Sequence, residues 1–191
     1  MPVDRVQGAF AAAAWALGLY GLAGATFFMG MQMAGCRMSQ DALQLLSIAF
    51  GVLPVLAAAF AYRAADTLAT LLLGTWGALL LVISVVTMLA VVDDSMGSVD
   101  GLRAFGFPFL VLAAITWFTV TSAITRSAAL AVVCVFLALS STVAAIAYFV
   151  SSPNVTIAAG WLFELAAGSA SYMASAILLN RTAGRVMLPL D

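Results

Sequence analysis

Histidine and lysine are both missing from the 191 residues, and charge of either sign is scarce: seven arginines and eight carboxylates, 8% of the chain. A soluble domain carries about 25% charged residues, so this chain has too few solvated groups to cover a folded surface of its own size in water. Without histidine there is no imidazole for acid–base work or metal ligation near neutral pH. With no lysine and a net charge of −1 there is no basic patch for nucleic acid. Of the two cysteines, Cys36 falls in a connection and Cys134 deep inside an apolar block, which argues against a disulfide and places no thiol beside a base. No carboxylates pair within the apolar blocks. These absences exclude nucleic-acid binding and most enzyme classes, and imply a chain that uses no cofactor and no metal.

What remains is apolar. At 65% of 191 residues the apolar stock is about 124, and a bilayer span takes about 20, which suffices for roughly six spanning helices with short connections and leaves no room for a soluble domain. Charges and helix breakers divide the sequence into six such blocks, at about 10–34, 42–62, 68–92, 105–124, 129–150 and 157–179. Between them lie Cys36, Arg37, Ser39, Gln40 and Asp41; Arg63 and Asp66; an acidic loop with Asp93, Asp94, Asp100 and Arg103; Arg126 and Ser127; and Ser151, Ser152, Pro153 and Asn154. The blocks are continuously apolar and rich in Ala and Leu, without the alternation of a barrel strand, so the expected fold is all-α: one six-helix transmembrane domain over 1–191.

Arginine placement predicts the orientation. One side holds Arg5, Arg63, Arg126, Arg181 and Arg185 and the other only Arg37 and Arg103, which puts both termini in the cytoplasm and the acidic loop outside. The first apolar block, about 25 residues, is longer than the 7–15 of a secretory signal, so it is expected to be the first spanning helix rather than a cleaved leader.

Several blocks carry small or weakly polar residues at helical spacing: Gly18, Gly21 and Gly24 in the first; Thr67, Thr70, Gly74, Gly77 and Ser84 in the third; Thr116, Thr119 and Ser122 in the fourth; Gly160, Glu164, Gly168, Ser171 and Ser175 in the sixth. Such stripes serve close helix packing, because small residues let backbones approach. They also suit a narrow path lined by hydroxyls and backbone. Glu164 is the one ionisable residue inside a span, and a carboxylate at that depth normally faces a bundle interior or water. It reads either as a proton-accepting pathway group or as a protonated packing residue bonded to a neighbouring helix. Pro54 lies inside the second block, where it removes a backbone hydrogen bond, and Pro108 lies near the start of the fourth, where proline is well tolerated.

The stretch 159–191, AGWLFELAAGSASYMASAILLNRTAGRVMLPLD, resembles the end of the acetate uptake transporter family, the succinate–acetate permease group, at Ala159, Gly160, Trp161, Ser169, Ala170, Tyr172, Gly184, Arg185, Leu188 and Pro189. The segment 62–77, Leu17 to Leu19 with Gly21, and the Arg126 turn add weaker agreement. The resemblance implies a six-helix protomer in a homohexamer of the bacterial inner membrane, each protomer conducting a small monocarboxylate such as acetate. It also implies an apolar constriction, here at Leu22, Trp76 and Val135. Glu164, Gly18, Gly21, Thr75, Ser171 and Tyr172 are the pathway or proton-linked candidates. The family's Asn-Pro-Ala-Pro before helix one is replaced by Ala13, Ala14, Trp15 and Ala16, its helix-two glutamine by Pro54 and its glutamate by Ala61; Glu164 stands where the family has an apolar residue.

The reading that follows is a channel or transporter for a small monocarboxylate or its protonated acid, partnered by the lipid bilayer, by the small organic acid it carries and by copies of itself. The alternatives are a channel for a small neutral solute and a non-transporting scaffold that keeps the fold.

Overall fold

A computed structural model of the chain describes residues 3–36, 39–92 and 103–190; Arg37 and the acidic loop at 93–100 lie outside the described residues. Those residues form six helices and no strand: α1 Val3–Met33, α2 Gln40–Arg63, α3 Thr67–Val92, α4 Gly106–Ile124, α5 Ala128–Val150 and α6 Pro153–Ala183. Each holds a segment long and apolar enough to cross a membrane. α1 begins ahead of the apolar block that starts near residue 10, and α6 extends beyond 157–179 in both directions. The reason lies in the ends rather than in hydropathy. Pro153 occupies the first turn of α6, where no N–H is needed, and Gly184 closes it in the left-handed conformation at φ 64°. Ser39 and Ser127 start α2 and α5 by accepting from the backbone N–H of Ala42 and Leu130.

Short turns at 64–66, 125–127 and 151–152 make sequence neighbours antiparallel, and the helices close into a ring. α1 packs on α2 and on α6, α2 on α3, α4 on α5 and α5 on α6; α3 meets α4, and also α1, along much sparser seams. An even number of spans places the start of α1, the end of α6 and the turns at 64–66 and 125–127 at one end of the bundle. There the Arg181 guanidinium donates to the Gly8 carbonyl and the Ala129 N–H donates to the Leu190 carbonyl at 3.0 Å, so the chain's tail folds back on α5.

Small residues set how closely the helices approach. A Cβ at Gly21 of α1 would lie 2.6 Å from Pro54 Cδ, and one at Gly77 of α3 would lie 3.1 Å from Pro54 Cβ. Pro54 is therefore a buried wedge of α2 seated between two glycines, which is why a helix-breaking residue is accommodated there. Outside the ring, large apolar side chains stay exposed, Phe118 at 78% and Trp161 at 63%, as a lipid-facing surface requires.

Candidate functional site

The inward stripes of five helices meet at the centre of the ring. Leu19 and Leu22 from α1, Leu72, Leu73 and Trp76 from α3, Leu112 and Thr116 from α4, Leu137 from α5 and Phe163 from α6 are all fully buried there. Leu22 and Trp76 both have 0% exposure, and Val135 packs partly buried against the same core while its neighbour Cys134 is fully buried. The Trp76 indole N–H donates to Thr116 Oγ1 at 2.9 Å, and Thr116 Oγ1 in turn donates to the Leu112 carbonyl at 2.6 Å. That pair bridges the sparse α3–α4 seam, and it gives the one polar atom of the Trp76 side chain a partner among apolar neighbours.

Polar groups stand on both sides of this layer. Toward the end that carries the termini, Asp66 on the α2–α3 turn gathers three partners. Arg126 donates to Oδ1 at 2.9 Å and to Oδ2 at 2.6 Å, and the Trp15 indole N–H donates to Oδ2 at 2.7 Å. The Ala69 N–H reaches Oδ1 at 3.1 Å, so Asp66 also caps α3. The Arg126 guanidinium lies 5.2 Å from the Trp15 ring centroid, which adds a cation–π contact. Burial pushes the Asp66 carboxyl up, but the hydrogen bonds from Arg126, Trp15 and Ala69 outweigh it and hold the group below its ordinary range. The hydrogen bonds to Asp66 in turn hold Arg126 above the ordinary guanidinium value, against the effect of burial. The turn that presents Asp66 is tight, with Ala65 in the left-handed region at φ 56° and the Asp66 N–H bonded to the Ala61 carbonyl at 3.0 Å.

Toward the opposite end, Gln32 donates to Gln44 Oε1, Gln44 donates to the Ser84 carbonyl at 2.7 Å, and Ser84 Oγ donates to Ser47 Oγ at 3.1 Å. Gln44, Ser47 and Ser84 are buried. Ser84 follows Trp76 by eight residues on the inward stripe of α3, about 12 Å along the helix.

The remaining sequence candidates fall elsewhere. Glu164 sits where α1 crosses α6, and its Oε1 is buried without a hydrogen-bond partner, 2.7 Å from where a Cβ on Gly30 would be. Glu164 and Ser171 line a groove of about 510 Å³ with Tyr20, Phe27, Phe28 and Phe50. Tyr20 and Phe27 are exposed, so that groove opens on the outside of the ring and not on its centre. Gly18 and Gly21 are contact points of α1: a Cβ on Gly18 would lie 2.9 Å from Ala57 Cβ, and Gly21 faces Pro54. Thr75 bonds back to the Leu71 carbonyl at 2.6 Å. Tyr172 donates its hydroxyl to the Pro189 carbonyl at 2.9 Å, and the Asn180 side chain holds Met187 and Leu188, which ties the family-like closing residues to the fold of the tail. The structure thus places Leu22, Trp76 and Val135 in or against one apolar core and gathers Glu164 and Ser171 on an outer groove; Gly18 abuts core Leu73, Gly21 packs on Pro54 and Phe50, and Thr75 and Tyr172 make hydrogen bonds of their own.

Sequence reasoning passed over Trp15, Asp66, Arg126 and Gln44 as site residues, and named Thr116 only as part of a small-residue stripe. Two signals were available for the first three. Trp15 replaces part of a family motif, and Asp66 and Arg126 are two of only 15 charges in the chain. Among the described residues no three histidine, cysteine, aspartate or glutamate side chains gather where they could hold a metal ion.

The family model described as the GPR1/FUN34/yaaH family matches residues 3–190. Among solved structures, the one titled "Structure of the bacterial acetate channel SatP" superposes with a TM-score of 0.86 at 19% sequence identity, covering 93% of this chain and 98% of that one. No curated protein matches the sequence.

Proposed function

Because the chain belongs to the GPR1/FUN34/yaaH family, multi-pass membrane channels and transporters and not enzymes, we propose that it conducts a small monocarboxylate of the acetate type, as anion or undissociated acid, through the centre of each protomer. The observation that carries this reading is a fully buried apolar core that holds Leu22 and Trp76, with Val135 packed against it, a charged cluster toward one end of the bundle and an amide–hydroxyl cluster toward the other. A narrow apolar layer gates by excluding water. Moving a carboxylate through it without partners costs far more than moving the neutral acid, so passage of the acid, or of the anion with a proton, is the easier route. Thr116, which accepts from the Trp76 indole N–H, supplies a hydroxyl in direct contact with the proposed constriction.

The arginine distribution supports termini in the cytoplasm, and the family resemblance supports a homohexamer in a bacterial inner membrane. Glu164 belongs in this reading to the outer groove between α1 and α6, as a proton-accepting group placed away from the central path. The test is flux into liposomes holding the purified full chain, with acetate, larger monocarboxylates and a neutral solute at two pH values. Acetate entry that rises as the outside is acidified supports the reading, and no flux of any solute overturns it. A second reading, a non-transporting scaffold, is favoured by the complete burial of Leu22 and Trp76, which is also what a permanently closed centre presents.

A further inference from the structure

Arg126, Trp15 and Asp66 come from three separate segments, yet their polar atoms converge on one carboxylate. Both guanidinium nitrogens of Arg126 engage the two Asp66 oxygens at 2.9 and 2.6 Å, and the Trp15 indole N–H adds a third side-chain donor at 2.7 Å. The Trp15 ring, itself buried, lies under the guanidinium, 5.2 Å from its centre. A planar fork held over an aromatic face, with a further N–H beside it, is the arrangement that recognises a carboxylate with two oxygens in one plane.

The cluster also occupies the entry to the inward stripe. Trp15 precedes Leu22 by seven residues on the buried face of α1, and Asp66 precedes Trp76 by ten on α3, about 15 Å along the helix. Asp66 has an 8% exposed side chain, whereas that of Arg126 is 44% exposed. Arg126 is therefore reachable from water while the oxygens it holds are on the inner side.

We propose that Arg126 and Trp15 form a carboxylate-binding station at the mouth of the path, and that Asp66 is a tethered stand-in for the transported carboxylate, occupying the station until a solute displaces it. The inference rests on the transport reading above. It adds a ligand class and a competitor to that reading: a free monocarboxylate binds only by exchanging with Asp66, and the station discriminates carboxylates from neutral amides of the same shape. An empty, permanently exposed guanidinium would bind anions without selection, and the internal carboxylate prevents that.

The test uses the full chain in detergent, titrated with sodium acetate and, separately, with acetamide by isothermal calorimetry. Asp66→Asn and Asp66→Ser both keep a residue able to cap α3, so loss of folding is not expected, and a thermal melt of each checks it. Both variants are expected to bind acetate on the order of tenfold more tightly than the original protein, because the solute no longer competes with a charge-assisted pair. Adding Arg126→Gln to either is expected to abolish that gain, and acetamide binding is expected to be unchanged throughout. Acetate affinity that does not rise in two folded Asp66 variants, or a rise that survives Arg126→Gln, overturns the proposal. Flux by the original protein together with no gain in the Asp66 variants removes this inference alone. A gain in binding without flux in any variant keeps the station and removes the transport reading.

Discussion

The Trp76 indole N–H and the Thr116 hydroxyl, 2.9 Å apart, join α3 to α4, two helices that share a sparse seam. Both residues are fully buried, so neither has water as an alternative partner. Thr116→Val keeps the branched shape but removes the acceptor and leaves a buried N–H unpaired, an expected loss of about 1–3 kcal/mol. Thermal unfolding in detergent measures it, with Thr116→Ser, which restores an oxygen, expected to recover much of the loss.

The constriction itself is tested by shortening Leu22. Leu22→Ala removes a side chain with 0% exposure and is expected to cost about 2–5 kcal/mol of stability. If the layer of Leu22, Trp76 and Val135 limits passage, the same change raises solute flux per protein although the fold is weaker. A purely structural role for Leu22 lowers both together.

The Asp66–Arg126 ion pair has a pH signature. Asp66 is held below its ordinary value of 3.8, so the folded protein takes up that proton less readily than the unfolded chain. The stability it contributes is present above the ordinary value and is lost as the pH falls below it. Melting temperature followed downward from pH 6 is expected to drop with a component that Asp66→Asn abolishes.

Gly30 and Glu164 are expected to couple. A Cβ on Gly30 would come within 2.7 Å of Glu164 Oε1 and 2.9 Å of the Gly160 carbonyl. Gly30→Ala should therefore destabilise the α1–α6 crossing, and Glu164→Ala should relieve part of that strain, leaving the rest to the backbone clash. A double-mutant cycle read by thermal unfolding is expected to give a coupling of about 0.5–3 kcal/mol; additivity of the two changes contradicts the contact.

The number and type of helices were legible because bilayer spans are written in composition: long apolar runs between Arg63, Asp66, Arg126 and Pro153 leave few other arrangements. Glu164 also stood out, as a carboxylate within a span, but its address did not. A helical stripe names a face without naming the neighbour, and the neighbour here is the buried Gly30 of α1. Asp66 and Arg126 were visible only as turn markers, because a pair 60 positions apart is created by the folding of α3 and α4 between them. The same holds for Gln44 and Ser84, whose bond spans 40 positions, and for Trp76 and Thr116. The end of α6 at Ala183 reaches past the apolar block because the Gly184 cap and tail contacts, such as Asn180 on Leu188, hold the helix where hydropathy has stopped.

The most direct measurement is acetate uptake into liposomes reconstituted with the full chain, compared with protein-free liposomes and with Trp76→Ala, at pH 5 and pH 7. Faster uptake than in empty liposomes, greater at the lower pH and raised further when Trp76 is shortened, is the result predicted for a central path gated by an apolar layer. Uptake equal to that of empty liposomes at both pH values, unchanged by Trp76→Ala, contradicts it.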